Sequence, residues 1–342
     1  MKSKQMISYL LAGGTLLSAS LLSAKTAAAD YNLRMSHPWP STSAVHQGLA
    51  DWAKAVEQDS GQRITIDIYP AQTLSKAASA YQSVVHNIAD IAATVQSYNA
   101  NRFPLTQIVE LPGLVDNAAG GSCIIQTLYD EGLINNEYSD THALYVYTNG
   151  PGHIHMKDKP VVLPQDLAGQ RIRRPSIVVG QLLDSIGAQP TGLPAPETYE
   201  ALEKGVLEGV AISWDGAKIF RLNEIAPYHT ELNLYRLSFV VTMNKRVYQQ
   251  LPEDLQQVID RHSGHQWSQH MAKIFDQLDQ QAINEVRQRN DHLQEMDPQS
   301  KSAWRPVLQQ VTQQYLDGLQ QKGLPAQRVY DRARQLQPDC TI

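Results

Sequence analysis

The sequence has 342 residues, long enough for two domains with cores of their own. Its 34 acidic side chains outnumber 29 lysines and arginines, a net charge of −5. That balance argues against nucleic acid or anionic lipid as a partner, and it leaves any bound anion to be captured by local cations.

Residues 1–29 read as an export signal: Lys2 and Lys4 precede a mostly apolar run from Met6 to Leu22, and Ala27-Ala28-Ala29 offers small residues before a cut at Asp30. The run is short for a bilayer span, and no cysteine at the cut would carry a lipid. The mature chain is expected to be exported and soluble, without stable membrane insertion. Its signal takes away three lysines and no acid, which moves the net charge from −5 to −8. Cys123 and Cys340 are too few for a disulfide framework, though an oxidising compartment would allow them to pair.

Taken in order, Tyr31 to Ser36 predicts a strand, followed by the proline-stiffened loop His37-Pro38-Trp39-Pro40-Ser41. Ser43 caps a helix to Gly61 with Val45, Leu49, Trp52 and Val56 on one face. Ile64 to Tyr69 alternates as a strand; a helix over 76–88 leads into the apolar run Ile88 to Val95, which suits a buried strand. Gln96-Ser97-Tyr98 stands at that strand's carboxyl end, where open α/β sheets hold their ligands. A helix from Gly120 to Gly132 and a strand from Ala143 to Asn149 follow, and Gly150-Pro151-Gly152 breaks the chain before His153-Ile154-His155. This alternation gives an α/β fold with mostly parallel strands.

A second set of elements begins near Val161. In Gln170-Arg171-Ile172-Arg173-Arg174, apolar Ile172 between arginines marks a short strand that Pro175 ends. An arginine at such an end can turn its planar fork into a cleft and take a carboxylate bidentately. Val210 to Ile212 is a further strand, closing on Ser213-Trp214. Leu234 to Met243 reads as a strand returning to the first half. From Pro252 a Gln-rich helical tract runs to about Asp291, ~55 Å at ~1.5 Å per residue, enough to lie along two domains. Chain crossings in place of a flexible linker indicate a hinged pair around a cleft.

Trp52-Ala53, Gly61-Gln62-Arg63-Ile64, Tyr69-Pro70-Ala71-Gln72-Thr73-Leu74 and Ala89-Asp90-Ile91 resemble the first half of a TRAP-transporter solute-binding protein of the DctP type. Asp166-Leu167-Ala168-Gly169-Gln170-Arg171-Ile172-Arg173 is similar to the family's D-L-x-G-x-x-I-R segment. Glu197, Tyr199, Ala201-Leu202, Gly205 and Glu208-Gly209 match its E-x-Y-x-A-L-x-x-G-x-x-D-G segment, while Met243-Asn244-Lys245 and Leu251-Pro252 fit its later strand and helix. The resemblance spans nearly all the mature chain, in order. It implies a two-lobed periplasmic binding protein with chain crossovers and a long helix spanning both lobes. Residues 30–150 with about 234–265 would form lobe I, and 151–233 with about 266–342 lobe II. The implied function is capture of a small organic acid and its delivery to TRAP membrane permease subunits in the periplasm of a Gram-negative-type bacterium, without catalysis or cofactor; no residue is singled out as a metal ligand, and whether a metal ion accompanies the acid is left open.

By the same resemblance Arg173 is the carboxylate-binding arginine. His153 falls where many members have a second arginine, so a titratable group replaces a permanent cation, with His155 beside it. Ile212-Ser213-Trp214 stands where many have an asparagine, so Trp214 is expected to give a flat wall suited to an apolar or aromatic ligand. Trp39, Tyr98, Gln96 and His37 are expected from the opposite lobe, and Ser213 beside Trp214. Rival readings are a binding protein of an ATP-driven importer or sensor kinase, and a secreted hydrolase. The hydrolase reading lacks a G-x-S-x-G elbow and an H-E-x-x-H pair. His262, His265 and His270 do not share a helical face as an i, i+4 metal pair would.

Overall fold

The computed structural model describes residues 29–99 and 101–341. The proposed export signal therefore lies, but for its last residue, outside the described part. Eleven strands are described: β1 Tyr31–Ser36, β2 Ile64–Tyr69, β3 Ile91–Val95, β4 Thr141–Thr148, β5 Gly152–Met156, β6 Arg171–Arg174, β7 Gln189–Gly192, β8 Gly209–Ser213, β9 Tyr228–Tyr235, β10 Ser238–Asn244 and β11 His292–Gln294. They fall into two mixed sheets, one ordered β2-β1-β3-β10-β4 and the other β11-β9-β5-β8-β6-β7. Pairing is parallel where helices intervene, as between β1 and β2 or β6 and β8. It is antiparallel where the returning strand β10 meets β3 and β4. The helices are α1 Ala44–Asp59, α2 Ala80–Val85, α3 Ala118–Asp130, α4 Ile177–Ser185, α5 Thr198–Glu203, α6 Trp214–Ile219, α7 Lys245–Gln250, α8 Glu253–Arg261, α9 His265–Arg289, α10 Pro298–Gln321 and α11 Ala326–Cys340. Among the described residues no helix is long and apolar enough to cross a membrane.

The chain passes from the first sheet to the second between β4 and β5 and returns between β9 and β10. Asn149 clips these crossings together: Leu237 N–H donates to its Oδ1 at 2.8 Å, and its own N–H donates to Leu237 O at 3.3 Å. Two glycines make the crossing possible. A Cβ on Gly150 would meet Asp279 Oδ2 at 1.8 Å, and one on Gly152 would meet the Tyr235 ring at 2.1 Å. A side chain at Gly152 would push against the Tyr235 ring of β9, and one at Gly150 would displace the Asp279 carboxylate of α9.

The helical tract after Pro252 is not continuous. Gly264, with φ of 73°, ends one axis and starts another, so the 25-residue α9 spans only ~37 Å. It still joins the halves, packing on α1, α3 and β4 along its start and on α6 near its end. The helix read over 76–88 is shorter, a 3₁₀ turn followed by α2. The strand read over 234–243 is two, because the crossing at Arg236-Leu237 interrupts it. One further departure concerns the carboxyl-terminal part. Cys123 of α3 and Cys340 of α11 form a disulfide, and α11 packs on α3. The last helix thus returns to the side of the first sheet instead of staying with the second.

Candidate functional site

Of the three arginines in β6, the sheet separates the roles. Arg171 is exposed and pairs with Glu208 at 3.3 Å. Arg174 lies along Gly180 and Gly192 and donates to Ser176 O at 3.3 Å. Arg173 is fully buried. Its Nε donates to Leu193 O at 2.9 Å, Nη1 to Ala211 O at 3.0 Å and Nη2 to the Tyr98 hydroxyl at 3.2 Å. All three acceptors are uncharged, and no carboxylate among the described residues forms an ion pair with it. Taking a charge out of water without a counter-charge is costly, so this guanidinium is poised for an anion.

Arg173 lines a small cavity of about 30 Å³ between the two sheets. Trp39, Phe220 and Phe239 make its aromatic walls, with the Trp39 and Phe239 rings 5.8 Å apart and tilted. Tyr98 crosses the gap: its hydroxyl oxygen accepts from Ala195 N–H at 2.9 Å as well as from Arg173. At the opposite end Asn149 Nδ2 donates to Ser213 Oγ at 2.8 Å. Asp215 stands beside them, its N–H donating to Asp279 Oδ1 at 2.6 Å. Burial pushes Asp215 up to about 6, against hydrogen bonds from Ser213 and Asn149 among others. Burial, then the charge of Asp215, raises Asp279 well above the carboxylate range. Burial and mutual repulsion both disfavour ionising the two carboxyl groups together, so they titrate as a pair. Behind Tyr98 lies Glu110, fully buried, whose Oε1 accepts from Ser97 Oγ at 2.5 Å and from Ser238 Oγ at 2.7 Å. Burial raises it to about 7.

Of the residues expected at the site, Arg173, Tyr98, Trp39 and Ser213 come together here. The others do not. Gln96 donates to the Tyr138 hydroxyl at 2.9 Å, away from the cavity. His37 lies one layer behind Trp39, bonded to His46 at 2.9 Å, with burial holding it down to about 3. Trp214 faces the other way: its Nε1 donates to Glu231 at 3.1 Å, and its ring packs among His153, His155 and His229 and against Ala282 and Val286. His155 is tied to His229 at 2.7 Å and to Ile212 O at 3.1 Å. His153 accepts from Leu232 N–H, and burial holds it down to about 3, so it is a neutral imidazole and not a second cation. The apolar wall expected of Trp214 is supplied instead by Trp39, Phe220 and Phe239. Sequence pattern alone marks neither phenylalanine, nor Asn149 or Asp215, as a site residue. A buried polar residue at a strand's carboxyl end, as Asn149 is, was the available signal.

Comparison with known proteins gives a consistent pattern. Residues 35–318 match the DctP family, bacterial extracellular solute-binding protein family 7. A solute-binding protein of Albidiferax ferrireducens is 27% identical over 252 residues, which is 69% of this chain and 71% of that one. A TRAP solute-binding protein of Rhodoferax ferrireducens T118, solved with copurified benzoate, is 28% identical with a TM-score of 0.85, covering 90% of this chain and 98% of that one. One from Bordetella bronchiseptica, with bound (R)- and (S)-mandelate, is 26% identical with a TM-score of 0.84, covering 90% and 99%.

Proposed function

The chain belongs to the DctP family of TRAP-type bacterial extracellular solute-binding proteins, and we propose that it captures an aromatic monocarboxylic acid between its two lobes and hands it, unchanged, to a TRAP membrane permease from the periplasm. The observation that carries this reading is the buried Arg173 guanidinium without an anionic partner in a cavity walled by Trp39, Phe220 and Phe239. The ligand carboxylate meets the Arg173 fork, and the ring lies between the aromatic walls. Asn149 and Ser213 then face any hydroxyl the ligand carries. The benzoate and mandelate bound by the two similar structures have this composition.

Binding begins with the lobes apart and the guanidinium accessible. Rotation about the crossings at Asn149 and Leu237 brings Tyr98 over to the second lobe, where its hydroxyl meets Arg173 and the Ala195 N–H. The acid supplies the counter-charge that Arg173 lacks among its hydrogen-bond partners. Loss of a buried partner of this kind costs ~2–5 kcal/mol of binding. A thermal-shift panel of benzoate, 3-hydroxybenzoate, mandelate and succinate tests the reading. Aromatic acids are expected to stabilise the protein by RT ln(1+[L]/Kd), about 2.7 kcal/mol at a hundredfold excess over Kd. Arg173→Ala removes that stabilisation while the variant stays folded. Undiminished binding by the variant, or turnover of an acid on the panel, defeats the proposal.

A further inference from the structure

Two charged side chains stand in the walls of the Arg173 cavity, Arg173 itself and Asp215. They do not pair with each other, and no lysine or arginine among the described residues forms an ion pair with Asp215. Arg173 Nη1 reaches Ala211 O at 3.0 Å. Ser213, whose hydroxyl supports Asp215, lies further along the same strand, β8. From Ala211 to Ser213 the strand advances ~7 Å at ~3.3 Å per residue. One benzene ring with a substituent at either end bridges such a gap.

The end away from Arg173 is made of donors already engaged. Asn149 Nδ2 donates to Ser213 Oγ at 2.8 Å and to Asp215 Oδ1 at 3.4 Å, and Asn149 Oδ1 accepts from Leu237 N–H at 2.8 Å. With its oxygen taken by Asn149, Ser213 turns its own proton to Asp215, and the Gly216 N–H points there as well. The Asp215 N–H goes to Asp279 Oδ1 at 2.6 Å. These chains converge on one carboxyl group, and the bond it receives from Asn149 is long. Asp215 therefore keeps capacity to accept, and a carboxyl oxygen accepts whether or not the group is ionised.

We propose that Asp215 sets the specificity of this site: among aromatic acids it selects those with a ring hydroxyl, which donates to its carboxyl group, and refuses those with a second carboxylate. The inference rests on the acid-binding reading, which fixes the ligand carboxylate at Arg173 and its ring between Trp39, Phe220 and Phe239. The far edge of the ring then faces Asp215. A ring without a donor leaves a buried acceptor unmatched, and sites built to bond a hydroxyl discriminate strongly against the analogue that lacks it. A second carboxylate would meet another carboxyl group with no donor between them, a repulsive contact that excludes the wrong ligand.

Calorimetric titration at pH 8, well above the value of about 6 to which burial lifts Asp215, compares benzoate with its 3- and 4-hydroxy, 3- and 4-fluoro and 3- and 4-carboxy derivatives. Fluorine is close to hydroxyl in size and has no proton to donate. One hydroxybenzoate should bind about tenfold tighter than benzoate and than its fluoro counterpart, and both dicarboxylates about tenfold weaker than benzoate. Asp215→Asn should narrow the advantage of that hydroxybenzoate over benzoate by about threefold or more, since a bond to charge becomes a neutral one, and should bring the dicarboxylates closer to benzoate. Each readout is a ratio within one protein, so a general loss of affinity does not imitate it. A thermal scan checks that the variant is folded, and if it is not, the wild-type series decides alone. Hydroxybenzoates no tighter than benzoate, a fluorobenzoate equal to its hydroxy partner, or an unchanged ratio in folded Asp215→Asn overturns this inference and leaves benzoate binding at Arg173 standing. Failure of every acid in the series to bind overturns the acid-binding reading and this inference with it.

Discussion

A guanidinium removed from water keeps its charge, because its proton cannot be surrendered at any ordinary pH. That is why Arg173, and not a histidine, is suited to hold an acid permanently in the cavity. Its position was legible because the D-L-x-G-x-x-I-R pattern and the strand alternation agree on it. The facing of Trp214 and His153 was not legible. A strand's period assigns side chains to two faces, but which face meets which void depends on how the sheet is stacked, and the chain alone does not state that. Tyr98 is the residue on which the crossing contact turns. Its hydroxyl is one oxygen that holds both Arg173 and the Ala195 amide, so Tyr98→Phe removes two hydrogen bonds made only when the lobes meet. Affinity for the aromatic acid should fall about tenfold, ~1.4 kcal/mol, within the usual worth of such bonds. Calorimetric titration decides it. Unchanged affinity would mean that the ligand carboxylate takes both donors by itself.

At the scale of elements, the strands and most helices follow from periodicity, while the breaks follow from single residues that periodicity overlooks. Gly264 divides the long tract because its φ of 73° is barred to most side chains and ends the hydrogen-bond ladder. The final helix is the clearest instance of tertiary control. Exposed along much of its surface, α11 carries no sequence signal for the sheet it accompanies; Cys340 fixes it to α3 across 217 residues. On loop-closure entropy alone, a bridge of that span is worth ~5 kcal/mol, with measured bridges usually nearer ~2–4. Cys123→Ser with Cys340→Ser should therefore lower the urea midpoint clearly. The Arg173 cavity lies in other elements, so aromatic-acid affinity should stay within about threefold. Equal midpoints for reduced and oxidised protein would show that α11 is held by packing alone.

The whole molecule stores opposing protonation terms. Burial depresses His37, His153 and His229 to about 3 and holds His155 well below its usual value. Their contribution is present above the unfolded value near 6.5 and is lost as pH falls below it, at ~1.4 kcal/mol per pH unit for each imidazole. Burial raises Glu110 to about 7 and Asp215 to about 6, and Asp279 rises with them. These carboxyl groups act in the reverse sense: their contribution is full below the unfolded value near 4.5 for Glu or 3.8 for Asp, and is lost as pH rises through the folded one. The two sets oppose one another between about pH 4.5 and 6.5, so the wild-type curve there is flatter than either set alone would give. Glu110→Gln separates them. Glutamine keeps an acceptor for Ser97 and Ser238 but has no proton to lose. Relative to the wild type, the variant should gain ~3 kcal/mol on going from pH 5 to pH 8, the linkage expected of a glutamate raised to about 7. Urea unfolding at the two pH values measures it. If the two proteins keep the same stability difference at both, Glu110 is ionised inside the fold throughout, and its serine partners, not a bound proton, are what make its burial tolerable.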